Sequence, residues 1–240
     1  MVPIVLGAYK EDYDDALPPH SYINVDDFKS IRNLTNYLLY LDKNDTAYAE
    51  YFAWKEHGKI FQTHKYACIL ILNIDMFNTY MAASLVPYMY PHFVRNTKPK
   101  LKFTDEEKSA MLAKDNTYLL PHYHKQRTKL IAWVVSNHSP RNNRKEYAKA
   151  IAKFIPVSCI IHVDIYGRQG KQFPPGRDLF QWLSENYKFY LAFENSNCKY
   201  YITEKATVNA LKCVALHNCV ISQARLCEST KLDSQLYFTN

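Results

Sequence analysis

Two stretches of the chain carry residue types able to hold an anion. Thr203-Glu204-Lys205 follows an apolar, strand-like run at Phe189 to Phe193 (FYLAF) and reads as the capped start of a helix. A helix N-terminus placed after a strand presents free N–H groups and a partial positive charge, which suits a phosphate. Lys205 can neutralise such a charge, Tyr201 can donate to a phosphate oxygen or pack on a ligand, and Glu204 can accept from hydroxyls. In isolation, T-E-K is an ordinary capped helix start. Asn195, in the F-E-N-S that continues FYLAF, falls at the carboxyl edge where α/β sheets bind ligands, although turn formation explains an Asn there equally well.

The elements that must position these residues follow from apolar periodicity. Leu130 to Val135 (LIAWVV) reads as a buried strand ending in the loop Ser136-Asn137-His138-Ser139-Pro140. Ser139 before Pro140 predicts an N-cap with proline at the first helical position. The helix would carry Tyr147, Ile151 and Phe154 on one face and close at Pro156. Cys159 to Ile165 predicts a second strand, Leu179 to Glu185 a short helix and Phe189 to Phe193 a third strand; this alternation implies a parallel α/β sheet. The helix after Thr203 should set Val208, Leu211 and Cys213 on one side and lead into a further parallel strand. None follows: residues 215 to 240 are polar and weakly patterned and are expected to be loosely ordered.

A suitable strand lies at the other end, Val2 to Gly7 (VPIVLG). Beyond it come a short strand within Ser21 to Val25, a helix capped by Ser30 with Ile31, Leu34, Leu38 and Leu41 on one face, and a helix capped by Asp45 carrying Tyr48, Tyr51 and Phe52. Gln62 to Thr128 shows no comparable pattern.

Composition restricts the function classes. In 240 residues, 48% hydrophobic and 22% charged residues describe a globular chain, and 20 Tyr beside 5 Gly exclude collagenous or linker sequence. A net charge of +7 suits an anionic ligand, but the basic residues are scattered, which argues against nucleic acid. Cys68, Cys159, Cys198, Cys213, Cys219 and Cys227 contain no C-x-x-C pair, so zinc ribbons and thioredoxin-type chemistry lose support while disulfides stay permitted. Neither a signal peptide nor a membrane span is visible. Sequons at Asn33 and Asn44, with a poorer one at Asn137, mildly favour a lumenal setting. His122 and His124 lack a spaced acidic or cysteine partner and read as a solvated loop, not as a metal site; the aromatics at 37–40 and 48–54 read as core.

FYLAFENSNCKYYITEKATVNAL, Phe189 to Leu211, resembles the signature of the α-1,3-fucosyltransferases, glycosyltransferase family 10, with F-E-N-S, Y-x-T-E-K and N-A-L at the family's spacing. TKLIAWVVSN with VDIYG, and VPIVLG, PPHSYINVDDFKS and YLLYLDKND, resemble further family segments; together these cover somewhat more than half the chain. In the family VPIVLG follows N-A-L, so this chain reads as a circular permutant or as two partial copies joined. The resemblance implies a Rossmann-like parallel sheet with flanking helices, the donor-binding half of a GT-B fold, with the N-terminal acceptor half largely missing. It divides the chain into 1–61, the C-terminal part of that donor half; 62–128, a connecting region; 129–214, its N-terminal part; and 215–240, a divergent tail.

The same resemblance implies GDP-fucose as donor, N-acetylglucosamine of a glycan as acceptor, no required cofactor or metal, and a Golgi setting. Arg144, Asn195, Tyr201, Glu204 and Lys205 would bind the donor, with Arg141 second to Arg144 as the pyrophosphate arginine and a solvated helix-start arginine as the plain alternative. Family catalysis is inverting and needs a carboxylate base; none is identifiable upstream of residue 129, and Met81-Ala82-Ala83 stands where the family usually has two arginines and an aspartate. A GDP-binding protein without turnover, or a non-functional fusion of gene fragments, is the alternative.

Overall fold

A computed structural model of the chain describes residues 1–61, 78–79, 86–87, 91–97, 102–137, 139–155, 163–168 and 170–212. The apolar stretch at 67–74, the Met81–Ala83 segment and the tail from 215 lie outside them.

In chain order the elements begin with β1 (Val2–Leu6), α1 (Lys10–Ala16), β2 (Ile23–Asn24), α2 (Ile31–Lys43) and α3 (Asp45–Glu50). The connecting part holds β3 (Gly58–Phe61), β4 (Asn78–Thr79), β5 (Val86–Pro87), β6 (His92–Arg95) and α4 (Asp105–Leu112). Then follow β7 (Lys129–Val134), α5 (Arg144–Phe154), β8 (Val163–Tyr166), α6 (Leu179–Asn186), β9 (Tyr187–Phe193) and a π-helix over Lys205–Lys212. β1, β2, β7, β8 and β9 form one parallel sheet in the order β2-β1-β9-β7-β8.

β1 therefore lies beside β9, although nearly the whole chain separates them. Five consecutive pairs, from Val2 with Phe189 to Leu6 with Phe193, fix the register. Every residue of both strands is buried, which is why both read as unbroken apolar runs and not as alternating ones. Side chains on the two faces separate cleanly by alternation. Ile4, Leu6, Phe189, Leu191 and Phe193 pack with Leu34 and Leu38 of α2 and Ala148 and Ile151 of α5. Val5, Tyr190 and Ala192 pack with Leu183 of α6 and Ala206, Ala210 and Leu211 of the π-helix. Phe189, Leu191 and Phe193 are each fully buried, so each contributes about 2 to 3 kcal/mol of transfer free energy.

Polar contacts fasten the first sixty residues to the rest. Tyr48 Oη donates to the Lys188 carbonyl at 2.7 Å, and Lys188 Nζ pairs with Asp42 at 2.9 Å. The Glu194 amide donates to the Leu6 carbonyl at 2.9 Å, continuing the ladder past the ends of β1 and β9.

Several local expectations need correction. α5 starts at Arg144 and not after Ser139: residues 141–143 bend, Asn143 is the N-cap, and Ala148 and Ile151 face the core while Phe154 is 38% exposed beneath the Arg32 guanidinium. Ser30 caps α2 as expected, accepting from the Asn33 amide at 3.2 Å. Asn44, not Asp45, caps α3, accepting from the Ala47 amide at 3.0 Å; Asp45 occupies the next position. The buried face of the π-helix is Ala206, Thr207, Asn209, Ala210 and Leu211, with Val208 only half-buried, because i to i+5 winding broadens the face beyond an α-helical stripe.

Candidate donor site at the carboxyl rim of the sheet

The carboxyl ends of β1, β9 and β7 carry three loops that meet at one rim. After β1, Gly7 turns the chain at φ +130°, a region that favours glycine. A Cβ there would stand 2.7 Å from Glu194 Cβ, so the β1 end and the F-E-N-S loop are in direct contact. The Gly7 carbonyl accepts from the Cys198 amide at 3.1 Å, and Asp12 of α1 accepts from the Tyr200 amide at 2.8 Å.

The loops after β7 and β9 are joined by amide side chains. Asn137 Nδ2 donates to Asn195 Oδ1 at 2.6 Å, Asn142 Nδ2 donates to Asn197 Oδ1 at 2.9 Å and to the Glu194 carbonyl at 3.1 Å, and the Arg141 amide donates to the Asn195 carbonyl at 3.1 Å. Arg144 lies beneath them and is 3% exposed. Its terminal nitrogens donate to the Phe193 and Asn137 carbonyls, both at 3.0 Å, while Nε is buried without a partner. Burial lowers the pKa of this guanidinium, with Glu194 opposing the shift. Beside it, Trp133, Val135, Ala148, Val163 and Ile165 line a cavity of about 310 Å³.

Glu194 is the densest node of the rim. Only 1% exposed, its carboxylate accepts from the Thr203 amide at 2.7 Å, from the Thr203 hydroxyl at 2.9 Å and from Lys205 Nζ at 2.8 Å. Burial pushes its pKa up, against the opposing pull of Lys205 and Thr203. Thr203 thus spends its hydroxyl on Glu194 and on Lys205, which donates to it at 2.6 Å, so a buried carboxylate lies against the helix start.

The family model described as Glycosyltransferase family 10 (fucosyltransferase) C-term matches residues 1–80 and 124–225. The chain belongs to glycosyltransferase family 10. Among its relatives, Glycoprotein 3-alpha-L-fucosyltransferase A of Drosophila melanogaster is 50% identical over 93 residues, 37% of this chain and 17% of the relative. The human 4-galactosyl-N-acetylglucosaminide 3-alpha-L-fucosyltransferase FUT6 and 3-galactosyl-N-acetylglucosaminide 4-alpha-L-fucosyltransferase FUT3 are each 43% identical over 90 residues, 38% of this chain and 23% of either relative. The matched part of this chain spans about a fifth of those relatives' length. No solved structure matches the chain.

Within this family-10 chain the structure brings Arg144, Asn195 and Lys205 to one rim, Asn195 through Asn137 and Lys205 through Glu194, and Tyr201 lies in the same loop after β9, its amide donating to the Cys198 carbonyl at 3.2 Å. Glu204 is more exposed, 3.6 Å from Lys205 Nζ. The alternative of a solvated Arg144 is overturned by its burial. Glu194, Gly7, Asn137 and Asn142 escaped the sequence reading. Glu194 and Gly7 belong to the motifs F-E-N-S and VPIVLG, but only their contact across the chain shows what each does.

His124 also departs from expectation. It is 4% exposed, stacked on Tyr48 at 5.1 Å and bonded through Nε2 to Asp45 at 2.8 Å, so it is a core histidine with an acidic partner distant in sequence. Among the described residues no group of three or more His, Cys, Asp or Glu gathers to hold a metal ion. No helix among them is long and apolar enough to cross a membrane. Of the six cysteines, Cys198 alone falls within them, with an exposed thiol.

Proposed function

We propose that this chain forms the donor half of an α-1,3-fucosyltransferase, binding GDP-fucose and serving transfer of fucose to N-acetylglucosamine of glycans. The observation that carries this reading is that Lys205, Arg144 and Asn195, with the loop holding Tyr201, lie at one carboxyl rim of a sheet whose adjacent strands β1 and β9 come from opposite ends of a family-10 chain. In the reaction so assigned, the acceptor hydroxyl loses its proton to a carboxylate and attacks the fucose carbon as GDP departs with inversion. Lys205 would hold the diphosphate, Arg144, buried beneath the rim on the Phe193 and Asn137 carbonyls, would add its positive charge from below, and Arg141, second to it, is the exposed arginine, so the step calls for no metal; Tyr201 would donate to a phosphate oxygen or pack on the donor and Glu204 accept from its hydroxyls.

Residues 129–214 and 1–61 are read together as one donor-binding unit, 62–128 as its connection and 215–240 as a tail, in an order that permutes or joins the family's segments. The Golgi is the setting that this chemistry implies, and exposed Asn33 suits a glycosylating lumen. A second reading, GDP binding without turnover, is favoured by Met81-Ala82-Ala83 standing where the resemblance expects two arginines and an aspartate. Calorimetry with GDP and a fucose-transfer assay on one preparation decide between them. Binding with product supports the transferase, binding without product the second reading, and no binding overturns both.

A further inference from the structure

We propose that Glu194 is the positioning residue of this rim, a buried carboxylate that fixes the Lys205 ammonium for a diphosphate. The inference rests on the donor-site reading above and adds a residue to it.

Glu194 does not meet substrate itself. Both carboxylate oxygens are taken, Oε1 by the Thr203 amide and hydroxyl and Oε2 by that hydroxyl and Lys205, and the residue is 1% exposed. An acid or base must reach the proton it moves, so this carboxylate acts through its neighbour. A lysine on its own is a flexible stem carrying three donors. Here Lys205 spends one donor on Glu194 at 2.8 Å and one on Thr203 Oγ1 at 2.6 Å, while Glu204 at 3.6 Å lies beyond hydrogen-bond distance. One N–H is left to a ligand, its direction set by the other two. Such pre-organisation strengthens binding by removing the ordering cost when ligand arrives.

Glu194 itself is held in turn by two segments distant in sequence. Gly7 packs against its Cβ, the Leu6 carbonyl accepts from its amide, and Asn142 donates to its carbonyl. A buried ion pair contributes little net stability compared with an apolar replacement, so its presence at a ligand rim points to geometry as its purpose.

Calorimetry of GDP, GMP and inorganic pyrophosphate on the wild type, Glu194→Gln, Lys205→Met and the double variant tests this. Glu194→Gln should lose about 10-fold in GDP affinity, the worth of one charge-assisted hydrogen bond, with GMP binding nearly unchanged. Lys205→Met should lose at least as much, and the double variant should match Lys205→Met alone, since a positioning residue has nothing left to position. If Glu194→Gln fails to fold, Thr203→Val carries the same test, with a several-fold loss confined to the diphosphates. Equal losses of GDP and GMP, or losses that add in the double variant, overturn the proposal while sparing the donor site. A folded wild type that takes up neither GDP nor pyrophosphate overturns the donor-site reading and this inference with it.

Discussion

Gly7 and Glu194 meet where no side chain fits between them: a Cβ on Gly7 would lie 2.7 Å from Glu194 Cβ and 3.0 Å from the Ser196 carbonyl oxygen. The contact joins the end of β1 to the loop after β9. Through Glu194 it reaches Thr203 and Lys205, so the start of the chain supports a lysine some two hundred residues on.

Gly7→Ala should therefore be costly. The residue sits at φ +130°, and the added methyl must displace backbone, which together predict a loss of about 2 to 4 kcal/mol in urea unfolding. A loss below about 0.5 kcal/mol, the range of a neutral surface change, would show that the two strand ends are not locked as described.

Arg144 and Arg141, three residues apart, should part company. Arg144→Ala leaves the Phe193 and Asn137 carbonyls unpaired and should cost about 2 to 4 kcal/mol of stability, whereas Arg141, exposed and joined to the Asn195 carbonyl through its backbone amide, should cost less than about 0.5 kcal/mol. Donor binding should follow the same order. Chemical denaturation and GDP titration of both alanine variants check it; a destabilised Arg141→Ala beside an unaffected Arg144→Ala would reverse the assignment.

Asp45 predicts a pH-dependent contribution. Burial pushes its carboxyl up, but hydrogen bonds from Lys125 and His124, with their charges, hold it at about 2, below the ordinary 3.8. A carboxyl depressed in the folded state stabilises above its unfolded value and loses that contribution as pH falls through the folded one. The stability gap between wild type and Asp45→Asn should thus be complete above pH 4 and close towards pH 2. Denaturation at pH 7, 5 and 3 measures it, and a gap independent of pH would show that the ion pair with Lys125 and the hydrogen bond with His124 are not what Asp45 contributes.

Much of the sheet was legible because its determinants are local or periodic. LIAWVV, FYLAF and VPIVL are unbroken apolar runs because β7, β9 and β1 are buried on both faces, and Ser30 announces α2 because a hydroxyl there meets an amide three residues on. Ser139-Pro140 was as good a start signal but did not open a helix, since the Arg141 amide is drawn to the Asn195 carbonyl and residues 141–143 bend around that contact. Thr203 likewise kept its place at a helix start, but its hydroxyl is engaged by Glu194, a partner nine residues earlier.

Sequence alone determined which segments would be strands and helices, which motifs the family signature contains, and that a lysine and an arginine would stand near strand ends, because each depends on residues within a turn or two. Tertiary structure alone decided that Glu194 grips Lys205, that Arg144 turns inward to carbonyls, that His124 finds Asp45 and that Gly7 closes on the loop after β9. These pairings follow from strand order and register, which bring distant residues together at distances that no local pattern encodes.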